Sequence, residues 1–154
     1  MKLIQGDLFA ALPTDRNVII PHVCNNIGGW GAGFVVPLSR KWPRTKTEYY
    51  KKNKLDGLKL GQVQFVKVED KIIVANMIAQ EGLIGPTNPV PLKYEALEAC
   101  LEQVADYAKT FDTEGNLEIH APKFGSGLAG GDWNKIEPII LRTLSQYPIT
   151  IYYL

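Results

Sequence analysis

Residues 25–33 read Asn-Asn-Ile-Gly-Gly-Trp-Gly-Ala-Gly, a glycine-rich stretch between an apolar run at residues 18–23 and a helical pattern at residues 33–41. Glycine adopts backbone conformations that other residues avoid, and its N–H group can approach a ligand closely. A strand, a loop of this kind and a helix N-terminus together form a cradle for an anion. The stretch therefore predicts an anion-binding turn within an α/β fold.

A second glycine-rich stretch has the same setting. Residues 125–133 read Gly-Ser-Gly-Leu-Ala-Gly-Gly-Asp-Trp, after an apolar run at residues 117–121 and before a helical pattern at residues 133–145. One such loop is compatible with a simple tight turn. Two of them predict a cleft that holds a diphosphate from both sides.

Length and charge are those of an ordinary globular protein. The 154 residues match the commonest size of one domain, so we predict a single domain over residues 1–154. There are 17 Lys and Arg residues and 16 Asp and Glu residues, which leaves a net charge of +1. From this balance we expect no basic cluster of the kind that marks a nucleic-acid footprint.

The cysteines and the absence of targeting motifs favour a reducing compartment. Cys24 and Cys100 both lie within apolar patterns, which predicts free thiols rather than a disulfide. The sequence has no signal-peptide, transmembrane or lipidation motif. We therefore expect a cytoplasmic protein with no membrane association. As a separate expectation, the protein is a monomer.

Short β-branched runs alternate with longer helical patterns, which indicates an α/β fold. Strands are predicted at residues 3–5, 18–23, 63–68, 72–77, 117–121 and 150–153. Helices are predicted at residues 33–41, 45–53, 94–111 and 133–145. The link between the third and fourth strands has the length of a hairpin, so we predict a mixed sheet. The three prolines in residues 86–91 predict a long loop there.

Two common nucleotide-binding fingerprints are missing. The motif GxGxxG is not completed, because Gly31-Ala32-Gly33 is followed by Phe34 and Val35 without a third glycine in register. The phosphate-binding motif GxxxxGK[ST] is also absent. The sequence therefore argues against NAD-dependent oxidoreductases and P-loop phosphotransferases.

The remaining combination of motifs resembles the macro domain family. It consists of Gly-Asp-Leu-Phe at residues 6–9, the first loop with His22 before it, the second loop, and Tyr152 in the last strand. The resemblance implies a three-layer α/β/α fold with a mixed sheet of about six strands. It also implies a cleft for ADP-ribose above the sheet. Within the family, the chain is similar to small stand-alone members that process ADP-ribose 1''-phosphate.

The resemblance implies an enzyme, a hydrolase that acts on ADP-ribose derivatives, and most directly an ADP-ribose 1''-phosphate phosphatase. Two alternatives stay open: an ADP-ribosyl hydrolase acting on modified macromolecules, and a reader that binds ADP-ribose without chemistry. The expected partner is ADP-ribose, ADP-ribose 1''-phosphate or an ADP-ribosylated macromolecule. No cofactor is implied. No metal is expected either, because His22 and His120 are the only histidines and no cluster has ligand spacing.

The resemblance implies positions for the adenine and for the phosphates. Asp7 is expected to accept the exocyclic N–H of adenine, although an aspartate before a short apolar run can also cap a helix. Tyr152 is expected to stack on adenine, or else to cover one face of an edge strand. The diphosphate is expected at backbone N–H groups of residues 31–33 and 126–128.

The distal ribose is expected where the two loops meet. Asn25 matches a ribose-contacting position of the family, Asn26 either shares that role or stabilises the turn, and Trp30 both lines the pocket and anchors the loop. The complete set of predicted substrate-binding residues is Asp7, Leu8, Asn25, Asn26, Trp30, Gly31, Ala32, Gly33, Gly125, Ser126, Gly127, Leu128 and Tyr152.

Two residues are the catalytic candidates. His22 matches a histidine with a proposed catalytic role in the phosphatase-like members. Because imidazole titrates near neutrality, it can accept a proton from water or act as a nucleophile toward a terminal phosphate. It can equally be a buried strand histidine that satisfies a backbone carbonyl. Asp132 is the only carboxylate in either glycine-rich stretch. It is therefore either a general base or the N-cap of the helix that follows.

One mechanism of the family does not fit this chain. Members that form a covalent lysine adduct need a lysine near the end of the strand before the long loop and an aspartate after Gly-x-Gly-Leu. Here the strand end at residues 76–80 contains no lysine, and the residue after Gly127-Leu128 is Ala129. A water-mediated hydrolysis stays open. Gln80 is expected to line the distal site or to cap the strand. Lys123 approaches a phosphate or is a solvated charge, and His120 is expected to be structural.

Overall fold

The computed structural model describes residues 1–12, 14–112 and 114–154. A short 3-10 helix, Leu8–Ala11, follows the first strand. The strands and α-helices are β1 (Lys2–Gln5), β2 (Asn17–Asn25), α1 (Val35–Lys41), α2 (Arg44–Leu55), β3 (Val63–Glu69), β4 (Ile72–Gln80), α3 (Tyr94–Phe111), β5 (Leu117–Pro122), α4 (Trp133–Leu144) and β6 (Ile149–Tyr153). The six predicted strands and four predicted helices are confirmed, and only their ends differ by a few residues.

The six strands form one mixed sheet in the order β1-β6-β5-β2-β4-β3. β3 runs antiparallel to β4, whereas the other neighbours are parallel. The hairpin that the short link predicts is therefore confirmed. The proline-containing segment between β4 and α3 contains no helix and only isolated bridges, in agreement with the predicted long loop.

Alternate side chains of the central strands supply two separate cores. Every residue of β4 is buried. Ile73 belongs to the core that also contains the buried faces of α3 and α4. Ile72 and Val74 belong to the core that includes Leu38 of α1 and Tyr49 of α2. The sheet is thus the middle of three layers, because period-two strands bury both faces between helices.

The two cysteines are both buried and free, in agreement with the prediction of free thiols. Cys24 lies in β2 and Cys100 in α3. Within the described ranges, none of the helices combines the length and apolar character needed to cross a bilayer.

The sheet opens between β2 and β5 towards their carboxyl ends. These strands pair only from Asn17–Leu117 to Ile19–Ile119. Beyond that point β2 continues beside β4, and β5 continues beside β6. The chain leaves β2 towards α1 on one face of the sheet and leaves β5 towards α4 on the other. Such a divergence leaves a crevice at the carboxyl ends, where α/β sheets bind ligands.

Candidate functional site

A cleft of about 540 Å³ lies at this divergence. It is bordered by loop 1 (residues 25–33), loop 2 (residues 125–131), the ends of β2 and β5, and the connection after β4. Its volume is within the range of small-molecule sites. The predicted site residues that line it are His22, Asn25, Gly31, Ala32, Gly33, Gly125, Gly127 and Leu128.

Loop 1 and loop 2 meet across the cleft. A Cβ atom placed on Gly33 would lie 3.1 Å from Cδ1 of Leu128, so any side chain at position 33 would press on the opposite loop. Leu128 is otherwise exposed. The two glycine-rich stretches are far apart in the sequence, but they form opposite sides of one cleft.

Asn25 holds loop 1 together from inside. Its Nδ2 donates to the carbonyl of Gly29 at 2.7 Å. Its Oδ1 accepts from the N–H groups of Ile27 at 3.1 Å and Gly29 at 2.9 Å. The asparagine side chain therefore acts as an Asx turn that orients the backbone of the loop.

Three further contacts fix loop 1 to its surroundings. The buried Tyr49 hydroxyl donates to the backbone carbonyl of Asn25 at 2.6 Å. Asn26 Oδ1 accepts from the N–H of Gly82 at 2.9 Å and so joins loop 1 to the connection after β4. Gly28 packs directly against the side chain of Asn53 in α2. Asn26 therefore joins two segments of the cleft rather than closing its own turn.

Loop 2 is held by backbone contacts. The N–H of Gly131 donates to the carbonyl of Gly125 at 2.7 Å, and Gly130 donates to Gly127 at 3.0 Å. The carbonyl of Ala129 accepts from the N–H of Leu92 at 3.0 Å. A Cβ atom on Gly130 would overlap the carbonyl oxygen of Pro89. Loop 2 therefore requires glycine for close backbone approach.

His22 lies at the floor of the cleft, and only 1% of it is exposed. Its Nε2 lies 2.5 Å from Oδ1 of Asn76. The rings of Trp30 and Phe34 lie 5.8 and 5.5 Å away. Burial lowers the pKa of His22 to about 4, although the hydrogen bond to Asn76 raises it in part. The imidazole is therefore uncharged at neutral pH.

The hydrogen bonds of Asn76 fix the tautomer of His22. Asn76 Nδ2 donates to the backbone carbonyl of Thr45 at 3.3 Å and to Oε1 of Gln64 at 3.1 Å. Both hydrogens of the amide are thus used on carbonyl oxygens, and Oδ1 must be the atom that faces His22. His22 Nε2 is consequently the protonated nitrogen, and Nδ1 carries the lone pair.

The lining of the cleft suits an anion. Among the lining residues in the described part of the chain there is no Asp or Glu, and Lys123 is the one Lys or Arg. The Nζ atom of Lys123 lies 5.4 Å from the centre of the Trp133 ring and 6.0 Å from that of Tyr153. A negatively charged ligand would meet backbone N–H groups of the two loops without repulsion from a carboxylate of the described lining.

Two predicted carboxylates lie outside the cleft lining as exposed helix caps. Asp7 Oδ1 accepts from the N–H of Phe9 at 2.9 Å, at the start of the 3-10 helix. Asp132 Oδ1 accepts from the N–H of Asn134 at 2.9 Å, at the start of α4. The capping alternative is confirmed for both residues, and Asp132 does not line the cleft that His22 lines.

The remaining predicted residues belong to the walls behind the cleft. Leu8, Trp30 and Tyr152 are buried in the same apolar core. The hydroxyl of Tyr152 lies 2.7 Å from Nδ1 of His120, which supports the structural role expected of this histidine. Ser126 donates its hydroxyl to the carbonyl of Lys123 at 3.2 Å and so braces loop 2.

The connection after β4 contributes residues that the sequence analysis missed. Leu83 and Ile84, both exposed, line the cleft beside Gln80, and Phe34 lines it after loop 1. Gln80 lines the cleft as well, and its Nε2 donates to the carbonyl of Gly82 at 3.0 Å. The available clue was positional: β4 runs parallel to β2, so the residues after both strands emerge at the same edge.

Comparison with known proteins gives relatives over nearly the whole chain. A solved structure of a macrodomain protein from Streptomyces coelicolor is 37% identical, with a TM-score of 0.81, covering 99% of this chain and 98% of that one. A Bacteroides thetaiotaomicron protein of unknown function is 39% identical, with a TM-score of 0.89, covering 99% and 97%.

A curated relative from Lodderomyces elongisporus is named ADP-ribose 1''-phosphate phosphatase. It is 28% identical, covering 99% of this chain and 97% of the relative. No protein-family model matches the chain. Three observations agree: the sheet order, the cleft between two glycine loops and the likeness to the Streptomyces protein. The chain belongs to the macrodomain family.

Proposed function

We propose that the protein binds ADP-ribose derivatives in the cleft and hydrolyses the terminal phosphate of ADP-ribose 1''-phosphate without a metal or cofactor. The observation that carries this proposal is the cleft itself: two glycine loops face a cavity of about 540 Å³ whose lining contains no carboxylate in the described residues. Yeast relatives named for this activity cover almost the full chain and support the assignment.

The diphosphate binds between the loops in this proposal. Backbone N–H groups of residues 31–33 and 126–128 donate to the phosphate oxygens, each helped by the dipole of the following helix by roughly 0.3 to 1 kcal/mol. Among the described lining residues, Lys123 is the one Lys or Arg. At the far end, Asp7 accepts the adenine N–H through Oδ2, since Oδ1 is bonded to Phe9. Tyr152, beside Leu8, forms the apolar floor under the base.

The reaction is the hydrolysis of a phosphate monoester. Water attacks the phosphorus, the bond from phosphorus to the ribose oxygen breaks, and inorganic phosphate leaves with ADP-ribose as the second product. We assign one proton of the attacking water to Nδ1 of His22, since Nε2 is the donor to Asn76. The imidazolium then gives this proton to the departing ribose oxygen, which leaves His22 neutral again. Asp132 keeps its role as the cap of α4, because its carboxylate lies outside the cleft lining.

The test measures phosphate release from ADP-ribose 1''-phosphate beside calorimetric binding of ADP-ribose. We expect release by the native protein, and loss of release with retained binding in His22→Ala. Asp132→Ala is the matched control, with turnover kept and a stability loss of about 1 kcal/mol from the missing cap.

Two results would redirect the proposal. Binding of ADP-ribose without phosphate release, together with removal of ADP-ribose from a modified macromolecule, would make the protein an ADP-ribosyl hydrolase. Binding without either reaction would make it a reader. Phosphate release that is unchanged in His22→Ala would contradict the role assigned to Nδ1.

Organisation and location are part of the same proposal. We propose that residues 1–154 form one macro domain that acts as a monomer in the cytoplasm. The buried free thiols of Cys24 and Cys100 suit a reducing compartment. Sedimentation equilibrium of the purified protein checks the monomer, and fractionation of the producing cell checks the location.

A further inference from the structure

The positive charges of this protein are concentrated in one segment. Residues 40–59 contain eight of the 17 Lys and Arg residues but two of the 16 Asp and Glu residues. The segment therefore has a net charge of +6, and the rest of the chain has a net charge of −5. The sequence analysis did not recognise this segment, because a charge summed over the whole chain conceals such a separation.

Most of these charges are exposed on α2 and at its two ends. Seven of the eight basic residues are exposed: Arg40, Lys41, Arg44, Lys46, Lys51, Lys54 and Lys59. Among the described residues, the one ion pair in this segment joins Lys52 to Asp56 at 2.9 Å. The exposed cations are thus accessible to a ligand, and we call them together the α2 basic face.

The α2 basic face leads to the cleft. Lys46, Tyr50 and Asn53 follow one another at helical spacing and share one side of α2. The side chain of Asn53 packs against Gly28, so this side of the helix adjoins loop 1. Tyr50 is 39% exposed, and the Nζ atom of Lys46 lies 5.5 Å from the centre of its ring. An aromatic ring beside a lysine is a platform for stacking a base.

The other end of the α2 basic face continues into a second groove. This groove has a volume of about 300 Å³ and is lined by Lys52, Lys59, Gln62, Gln64 and Gln103, among others. Lysine ammoniums and glutamine amides are the groups that contact phosphates and the edges of bases. The basic face is thus bordered by loop 1 on one side and by a polar groove on the other.

We propose that the α2 basic face binds the phosphate backbone of single-stranded nucleic acid. The 12 residues of α2 extend over about 18 Å at 1.5 Å per residue, a span of several phosphates in a strand. Charge on the backbone and stacking on Tyr50 provide affinity without sequence preference. In this proposal the strand continues past loop 1 to the cleft. Binding of the strand does not depend on the reaction proposed in the cleft.

The experiment measures binding of fluorescently labelled oligothymidylate by anisotropy at several salt concentrations. The test variant is Lys46→Gln, Lys51→Gln, Lys54→Gln, and the matched control is Lys2→Gln, Lys71→Gln, Lys109→Gln, with the same change in net charge. We expect the native protein and the control to bind alike. For the test variant, the slope of log affinity against log salt concentration should be smaller in magnitude by about two. Each of the three lost phosphate contacts contributes roughly 0.7 to this slope.

Three results would overturn the proposal. These are no binding by the native protein at low salt, equal weakening in the two triple variants, or displacement of the oligonucleotide by polyglutamate at the same charge concentration. The last result would identify an acidic protein as the partner. Urea unfolding of both triple variants shows whether a change in binding comes from lost folding. ADP-ribose binding, measured separately, tests the proposed function without affecting this outcome.

Discussion

Loop 1 and loop 2 have similar composition and face the same cleft, but they are held in different ways. In loop 1 a side chain does most of the bonding, because Asn25 makes three hydrogen bonds within the loop. In loop 2 the backbone makes most of the bonds, and Gly130 and Gly131 approach other backbone atoms closely. The one side-chain bond described within the loop is that of Ser126 to the Lys123 carbonyl.

The difference shows that a glycine-rich sequence has two separate uses. Glycine in loop 1 leaves room for a buried amide to organise the turn. Glycine in loop 2 lets the chain press against the segment around Pro89 and Leu92. Loop 1 should therefore be sensitive to loss of polar groups, and loop 2 to added atoms.

The largest effect is expected from adding one methyl group to loop 2. In Gly130→Ala the new Cβ would overlap the Pro89 carbonyl oxygen, and φ at this position is +70°. A left-handed conformation and overpacking together should cost about 4 kcal/mol. Urea unfolding measures the loss. Gly127→Ala is the control, since its Cβ would have nothing within 4 Å, and a similar loss there would contradict this interpretation.

A titration compares the histidines in the strands that lead into the two loops. The pKa of His22 is about 4 in the folded protein, below its usual 6.5, so the unfolded chain takes up the proton first. Stability is full above the unfolded pKa and falls as pH drops through the folded value, by about 3 kcal/mol in total.

His120 in β5 provides the reference for this titration. Burial lowers the pKa of His120 too, but Glu118 acts in the opposite direction. We measure the free energy of unfolding in urea between about pH 7 and about pH 4. Its dependence on pH should decrease more in His22→Gln than in His120→Gln. Equal slopes in the two variants would show that His22 is not the main titrating group.

The next effect is expected from removing the amide that organises loop 1. Asn25→Ala leaves the N–H groups of Ile27 and Gly29 and the carbonyl of Gly29 without their partner. We expect a stability loss of about 2 kcal/mol and weaker ADP-ribose binding. Asn26→Ala, which removes one bond to Gly82, should have a smaller effect on both measurements. Equal losses would mean that loop 1 is held mainly by its neighbours.

The smallest effect concerns the support behind loop 1. Tyr49→Phe removes the hydroxyl that donates to the Asn25 carbonyl at 2.6 Å, and the ring keeps its buried place. We expect a loss of about 1 kcal/mol in thermal or urea unfolding. Tyr50→Phe is the matched control on the exposed side and should be neutral in stability. A neutral Tyr49→Phe would show that this bond adds nothing to loop 1.

Much of the fold was predictable because it depends on local patterns. The spacing of Leu97, Leu101, Val104 and Ala108 predicts α3, and all four residues are buried. The short link between β3 and β4 predicts the antiparallel pair. Asp7 and Asp132 are predictable as caps, since a cap involves residues only two positions apart.

The site was predictable only in part. The glycine loops indicate where a ligand is bound, but Leu83 and Ile84 carry no motif that marks them as cleft residues. The basic face was visible in the sequence and was missed, because the charge was summed over the whole chain. Its position beside loop 1 follows only from the packing of Asn53 on Gly28.

The sequence by itself determined the order of strands and helices, the mixed sheet and the presence of two glycine loops, since hydrophobic period and turn chemistry act between near neighbours. Only the tertiary structure decided which atoms meet. The partner of His22 is Asn76, 54 positions away, and the divergence of β2 from β5 creates the cleft. Contacts of this kind depend on how distant segments pack together, and no local pattern in the chain specifies that packing.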